Sequence, residues 1–148
     1  MRPTSSLAAI VICAMTILGA VAPARADVRI LRSPGGEVGS FLRLFTALRD
    51  SGERIIIDGP CYSACTLVLG TIPNDRICVT RRAVLGFHGA RIFDRRGREY
   101  RVPASVNAQV TAAYPEPVQQ WIAQRGGLTR KLIKLRGAEL YRFYPRCT

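Results

Sequence analysis

Arg54-Ile55-Ile56-Ile57-Asp58 constrains this chain more than any other stretch. Three consecutive β-branched residues between charged ends read as a strand covered on both faces, the kind found in parallel sheets flanked by helices. The sequence before it agrees. Residues 28–31 form a short apolar strand interrupted by Arg29, and Pro34-Gly35-Gly36 breaks it. Glu37 then falls in the first turn of a helix, where a negative charge suits the dipole. Phe41, Leu44, Phe45 and Leu48 follow the i, i+3, i+4, i+7 rule of one buried face, and Ser51-Gly52 stops the helix. Strand, helix and strand within about 30 residues make a right-handed βαβ unit.

Gly59-Pro60 ends the isoleucine strand at a sharp turn. Residues 63–70 read as a short helix of small and apolar residues, packed against the sheet. Pro73-Asn74-Asp75 makes a turn, and residues 76–80 and 83–87 form two further strands, the second delivering His88 at its C-terminal end. In open α/β sheets that edge is where sites form. Residues 89–100 are a polar, arginine-rich excursion of hairpin type. Residues 104–125 read as helix kinked or broken by Pro115 and Pro117. Gly126-Gly127 ends it, Thr129 caps a last helix over residues 130–135, and a tail runs to Cys147. Trp121, near Val118 and Ile122, reads as core.

Residues 1–26 read as a secretory signal. Arg2 gives a basic start, residues 7–21 are apolar or small apart from Thr16, and Ala24-Arg25-Ala26 is a small-x-small cleavage site. An uncleaved anchor is the alternative, but roughly 15 apolar residues fall short of the roughly 20 that a full span needs. Cleavage leaves a mature domain of residues 27–148, periplasmic or secreted from a bacterial cell. It removes Cys13 and keeps Cys61, Cys65, Cys78 and Cys147, an even set that favours two disulfides. The preferred pairing is Cys65–Cys78 with Cys61–Cys147, tying the helix after Ser63 to the next strand. Cys61-x-x-x-Cys65 matches neither a redox dithiol nor a zinc knuckle, and with one histidine in the chain neither a metal nor a cofactor is expected.

Loss of Arg2 and Arg25 lowers the formal charge from +12 to +10, and the only lysines are Lys131 and Lys134. Such a balance reads as an arginine-rich solvated surface, or as attraction to an anionic envelope surface such as phosphorylated lipid. Nucleic acid is not an expected partner: the arginines are scattered and aromatic interleaving is sparse.

The chemistry concentrates in two places. Ser63 follows a strand and opens a helix, so free backbone N–H groups surround it, that of Ala64 among them. The Gly35-Gly36 corner offers a second donor, because glycine lets backbone approach a substrate closely. His88, two strands along in chain order, reaches Ser63 across the same sheet edge. A serine hydroxyl becomes a nucleophile when a base takes its proton and dipoles receive the charge on the attacked carbonyl, and these residues supply each part.

Ser33-Pro34-Gly35-Gly36 after a strand, a small-residue Ser63-Ala64 helix and an apolar strand ending in His88 together resemble the Clp protease proteolytic subunit. The order also resembles the signal peptide peptidases and the wider crotonase-like fold. Gly59-Pro60-Cys61-Tyr62-Ser63-Ala64-Cys65-Thr66 with Phe87-His88 resembles most closely a set of small exported bacterial proteins described as Clp-protease-like. The resemblance covers residues 28–89, half of the mature chain. It implies a single α/β domain of the Clp/crotonase type, built on βαβ units with a mostly parallel sheet and a helical C-terminal part. It also implies a peptidase in which Ser63 attacks the peptide carbonyl and His88 acts as base and then acid. Gly36 and Ala64 donate to the oxyanion, and Gly35 shapes the corner.

Two departures stand beside this. The family's orienting aspartate would fall near Lys134 or Leu135, neither of which can serve, and Glu139 is the first substitute. Family members also carry a further strand and helix before the Ser-Pro-Gly-Gly strand, so either the given start lies too late or the fold is trimmed at its N-terminus. Its exposed first strand then needs a partner chain, such as a second copy in a homo-oligomer, or an edge defence. Ring assembly with an ATP-driven unfoldase is not carried over to an exported protein. Three functions stay open: a serine peptidase or esterase, a catalytically silent member of the fold that binds peptides or an envelope protein, and a basic surface-binding module.

Overall fold

The computed structural model describes residues 26–148; the apolar run expected to be a secretory signal and Cys13 lie outside the described residues. Strand β1 (Asp27–Ile30), helix α1 (Val38–Ser51) and strand β2 (Arg54–Ile57) form the expected strand–helix–strand unit. Ile55, Ile56 and Ile57 are all buried, as a strand covered on both faces requires. Strand β2 lies between β1 and β4 (Ile77–Val79), parallel to both. The outer edge of β1 is defended by exposed charge at Asp27 and Arg29.

The Glu37 carboxylate caps α1 by accepting from the N–H groups of Gly39 (2.8 Å) and Ser40 (2.5 Å), so Glu37 precedes the first turn instead of sitting within it. At the other end Gly52 turns left-handed at φ +86, and the Arg76 guanidinium donates to the carbonyls of Leu48 and Arg49, each at 2.8 Å. The buried face of α1 is narrower than its periodicity suggests. Phe45 is buried and Phe41 and Leu48 partly so, whereas Leu44 is 52% exposed.

After β2 the chain bends through Asp58-Gly59 into a second sheet. Gly59 is required there: a Cβ would stand 1.9 Å from the Leu31 carbonyl oxygen. Asp58 is buried and fixes the bend by accepting from Arg29 (2.8 Å), Thr80 (2.6 Å) and Arg82 (2.5 Å). The second sheet has the order β3 (Pro60–Tyr62), β5 (Val84–Phe87), β8 (Ile133–Arg136), with β3 and β5 parallel and β8 antiparallel. Two features differ from the sequence reading. Pro60 begins a strand instead of only turning the chain. Residues 133–136 are a strand, not part of a last helix, because Ile133 and Leu135 complete the face beside β5.

Between the strands lie a 3-10 turn (Ser63–Leu67), helix α2 (Val68–Thr71) and a second 3-10 turn (Asn74–Arg76). Strands β6 (Ile92–Phe93) and β7 (Glu99–Tyr100) form the expected arginine-rich hairpin. Helices α3 (Ala104–Ala112) and α4 (Glu116–Ala123) are separated at Pro115, and α5 (Gly137–Leu140) leads into the tail. Trp121, Val118 and Ile122 are core residues. The fold is thus mixed α/β and mostly parallel, but the single sheet expected is replaced by two three-stranded sheets and a two-stranded hairpin, because the chain bends at Asp58-Gly59.

The cysteines pair as Cys61–Cys65 and Cys78–Cys147, which corrects both expected bridges. Cys65 lies in the 3-10 turn that follows β3, with its Cα 5.3 Å from that of Cys61. Cys78 instead meets the tail, which lies along the free edge of β4: Val79 donates to the Pro145 carbonyl at 2.9 Å and Cys147 to the Val79 carbonyl at 3.1 Å. Two bonded pairs fit an oxidising, non-cytoplasmic compartment. Among the described residues no helix is long and apolar enough to cross a membrane.

Candidate active site

Three neighbouring passes of the chain carry the site. Ser33 bridges Cys61 in parallel, and Cys61 is the register partner of Leu85 in β5. Two residues further along each pass, Gly35, Ser63 and Phe87 reach one level, with His88 one residue beyond. Neighbouring strands lie about 4.8 Å apart. Ser63 and His88 therefore come from adjacent strands, closer than the chain order suggests.

Ser63 has φ +56 and is the one described non-glycine residue with positive φ. That conformation costs an L-residue of order 1–3 kcal/mol and persists only where its surroundings fix it. Gly35 is the first such contact. At φ +88 it lies so close to the turn that a Cβ there would stand 2.5 Å from Ser63 Cβ and 2.6 Å from the Tyr62 carbonyl oxygen. Cys61 and Cys65 are the second, a buried disulfide that joins the residues two before and two after Ser63.

Thr66 is the third, and sequence reasoning missed it. Its hydroxyl donates to the Ser63 carbonyl at 2.6 Å, and the Tyr114 hydroxyl lies 2.7 Å from Thr66 Oγ1. A carbonyl only accepts, so the single Thr66 proton goes to Ser63 and Tyr114 must donate to Thr66. Burial pushes the Tyr114 phenol up, which keeps that donor protonated. A hydroxyl three residues after Ser63, in an otherwise apolar run, was the available signal. Tyr114 carried none.

His88 is half-buried, and its Nδ1 lies 2.7 Å from the Gly89 carbonyl oxygen. By the same rule Nδ1 donates, so the neutral ring has its proton there and Nε2 is the basic nitrogen. A backbone carbonyl thus fixes the tautomer and orientation of the ring. Gly89 is itself held by its N–H bond to the Thr129 carbonyl at 2.6 Å. Phe87, just before His88, is packed between Tyr114 and Trp121, with ring centroids at 5.3 and 5.6 Å.

Ser63 and His88 line one cleft of about 30 Å³, together with Val38, Ala64, Leu67 and Val110. No hydrogen bond joins the Ser63 hydroxyl to His88 among the described residues. The N–H groups of Gly36 and Ala64 donate to no described acceptor, whereas that of Gly35 is taken by Ser33 Oγ at 3.3 Å. The Gly35 N–H is therefore engaged, whereas those of Gly36 and Ala64 have no described partner.

Glu139 is not brought to this site. Strand β8 runs antiparallel, with Arg136 opposite Val84 at the far end of β5. Val84 to His88 spans about 13 Å at 3.3 Å per residue. Glu139 instead accepts from Trp121 Nε1 at 2.9 Å and pairs with Arg125. Lys134 and Leu135, where the resemblance would put an aspartate, lie opposite Gly86 and Leu85. Among the described residues no three His, Cys, Asp or Glu side chains gather as a metal site. No protein-family model matches the chain, and no curated protein matches it.

Proposed function

We propose that this chain is an exported serine hydrolase of the Clp-protease-like kind, acting on peptides through a Ser63–His88 dyad. The observation that carries the reading is Ser63 itself, a strained residue fixed from three sides and set in one cleft with the chain's only histidine. Strain of this sort clusters at active sites and ligand clamps, where the surrounding structure holds it.

The dyad would work as follows. His88 Nε2 takes the hydroxyl proton as Ser63 Oγ bonds to the substrate carbonyl carbon. The carbonyl electron pair moves onto oxygen, where the Gly36 and Ala64 N–H groups donate to it. His88 then returns the proton to the departing amine, and the C–N bond breaks to leave a Ser63 ester. Water, deprotonated by His88, releases the acid and restores the hydroxyl. The Gly89 carbonyl keeps Nδ1–H oriented and stabilises the ring while it carries the second proton. A serine–histidine hydrogen bond that forms only with substrate present is ordinary for such sites.

A second reading draws on Val38 and Leu42, exposed one turn apart on α1, with Val38 at the cleft. This apolar shelf suits a silent fold that binds peptides without cleaving them. Fluorophosphonate labelling of the oxidised chain, beside Ser63→Ala and His88→Ala, separates the two. Labelling that needs both residues supports the hydrolase. A folded, disulfide-bonded sample that takes no label removes the hydrolase reading and favours the silent binding fold.

A further inference from the structure

The Ser63–His88 cleft, at about 30 Å³, has room for reacting atoms but not for a neighbouring side chain. A groove of about 400 Å³ adjoins it and shares Gly89 and Ala90 with it. That is the size of a side-chain or small-ligand site. Its walls come from three elements: the end of the β6–β7 hairpin, Asn107 of α3, and the segment before β8. Asn107 fixes them together, its Oδ1 accepting from the Ala90 N–H at 2.8 Å and its Nδ2 donating to the Leu128 carbonyl at 3.5 Å.

The charge in this groove is unbalanced. Glu99 is the one carboxylate on its wall, and it is shared by Arg91 at 2.8 Å and Arg130 at 2.5 Å. Arg130 lines the groove, and it also lines a second hollow, of about 210 Å³, together with His88 and Arg91. Arg101 lines the groove too and pairs with no described carboxylate. Arg101 and Arg130 thus face one carboxylate in the groove, and Arg91 stands with His88 in the adjoining hollow.

We propose that this groove is an anion subsite, in which Arg101 and Arg130 hold a carboxylate of a peptide lying across Ser63. Planar guanidinium groups match a carboxylate in charge and in the spacing of two parallel N–H donors. Glu99 positions Arg130 while leaving it donors to spare. The proposal rests on the hydrolase reading for what happens at Ser63, but the binding itself needs no chemistry.

The test uses the oxidised chain carrying Ser63→Ala, so that no peptide is consumed. Three short peptides are titrated: one with an internal glutamate and both ends blocked, its glutamine counterpart, and the glutamine peptide with a free C-terminal carboxylate. The blocked glutamate peptide should bind about tenfold tighter than its glutamine counterpart, the scale of one charge-assisted hydrogen bond. Arg101→Gln and Arg130→Gln should each remove most of that preference and leave the neutral peptide unchanged. Ionic strength of about 0.5 M should erode it as well. If the free C-terminus gives the preference and the internal glutamate does not, the subsite takes chain ends, and the anion assignment stands. Equal binding of all three peptides, no binding of any, or a preference that survives Arg101→Gln overturns it. Acid-selective binding in a chain that takes no fluorophosphonate would remove the hydrolase reading and leave this one intact.

Discussion

The Thr66 hydroxyl donates its only proton to the carbonyl of Ser63, three residues earlier, at 2.6 Å. Tyr114 in turn donates to Thr66, so a buried phenol on the helical side holds a strained residue on the sheet side. Thr66→Val removes this support and leaves the Tyr114 hydroxyl without a partner. A loss of about 1–3 kcal/mol is expected in urea unfolding, from the orphaned buried donor. Fluorophosphonate labelling should fall further than stability does, and Thr66→Ser, which keeps the hydroxyl, should restore both.

Gly35→Ala tests the corner. The substitution adds a methyl group 2.5 Å from Ser63 Cβ at a backbone angle of +88°. Left-handed strain of about 1–2 kcal/mol and overpacking of about 1–3 kcal/mol both act against it. Reduced labelling is expected with only partial loss of stability, read from a thermal melt of the same sample. Gly97, at φ +76 with open space around it, is the control: alanine there should cost strain without touching the label.

The two disulfides should separate by what they protect. Cys78–Cys147 spans 69 residues and Cys61–Cys65 only four. Loop-closure entropy puts their stabilities at about 4 and about 2 kcal/mol. Replacing Cys78 and Cys147 by alanine should therefore lower the unfolding midpoint more. Replacing Cys61 and Cys65 should lower the labelling rate more, because that bridge brackets Ser63. The reverse order would mean that the short bridge does not position the serine.

Acid should weaken the fold through two carboxylates. Hydrogen bonds from Arg82, Thr80 and Arg29 hold Asp58 well below the usual carboxylate range, and Arg91 and Arg130 hold Glu99 at about 2. A carboxylate whose folded pKa is depressed adds stability above its unfolded value near 4. That contribution is lost as pH falls through the gap to the folded value. Melting temperature should thus decline below about pH 4, and Asp58→Asn should start lower and decline less. Equal slopes in the two proteins would show that Asp58 is not a source of the acid sensitivity.

Glu139→Gln should leave labelling unchanged, since the Glu139 carboxylate is engaged by Trp121 and Arg125 and not by His88. A large loss of labelling, with the melt unaltered, would reopen its candidacy as the carboxylate behind His88.

Local pattern made β1, α1, β2, β5 and the proline break between α3 and α4 legible in the sequence, because each depends on periodicity or on a breaker within a few residues. Strand β8 was not legible. Ile133 and Leu135 alternate over too short a span to outweigh a helical reading, and only pairing with β5 decides it. The disulfides failed for a related reason: four cysteines permit three pairings, and the choice depends on the tail returning along β4. Ser63, His88, Gly35, Gly36 and Ala64 could be named because their spacing is local to strand ends. Thr66, Tyr114 and the Gly89 carbonyl could not be assigned roles, since those depend on where a side chain points once the turn has formed.

The tail along β4 also sets an order of events. Strand β4 obtains its second neighbour, and Cys78 its sulfur partner, only after residues 145–147 have emerged, long after β2 is available on the other side. Until then Cys78 is a thiol on an open edge, and the nearest oxidisable partners are the two cysteines around Ser63. Oxidative refolding of the reduced chain should therefore pass through mispaired forms of Cys78, and a disulfide isomerase should raise the yield of the correctly bridged form.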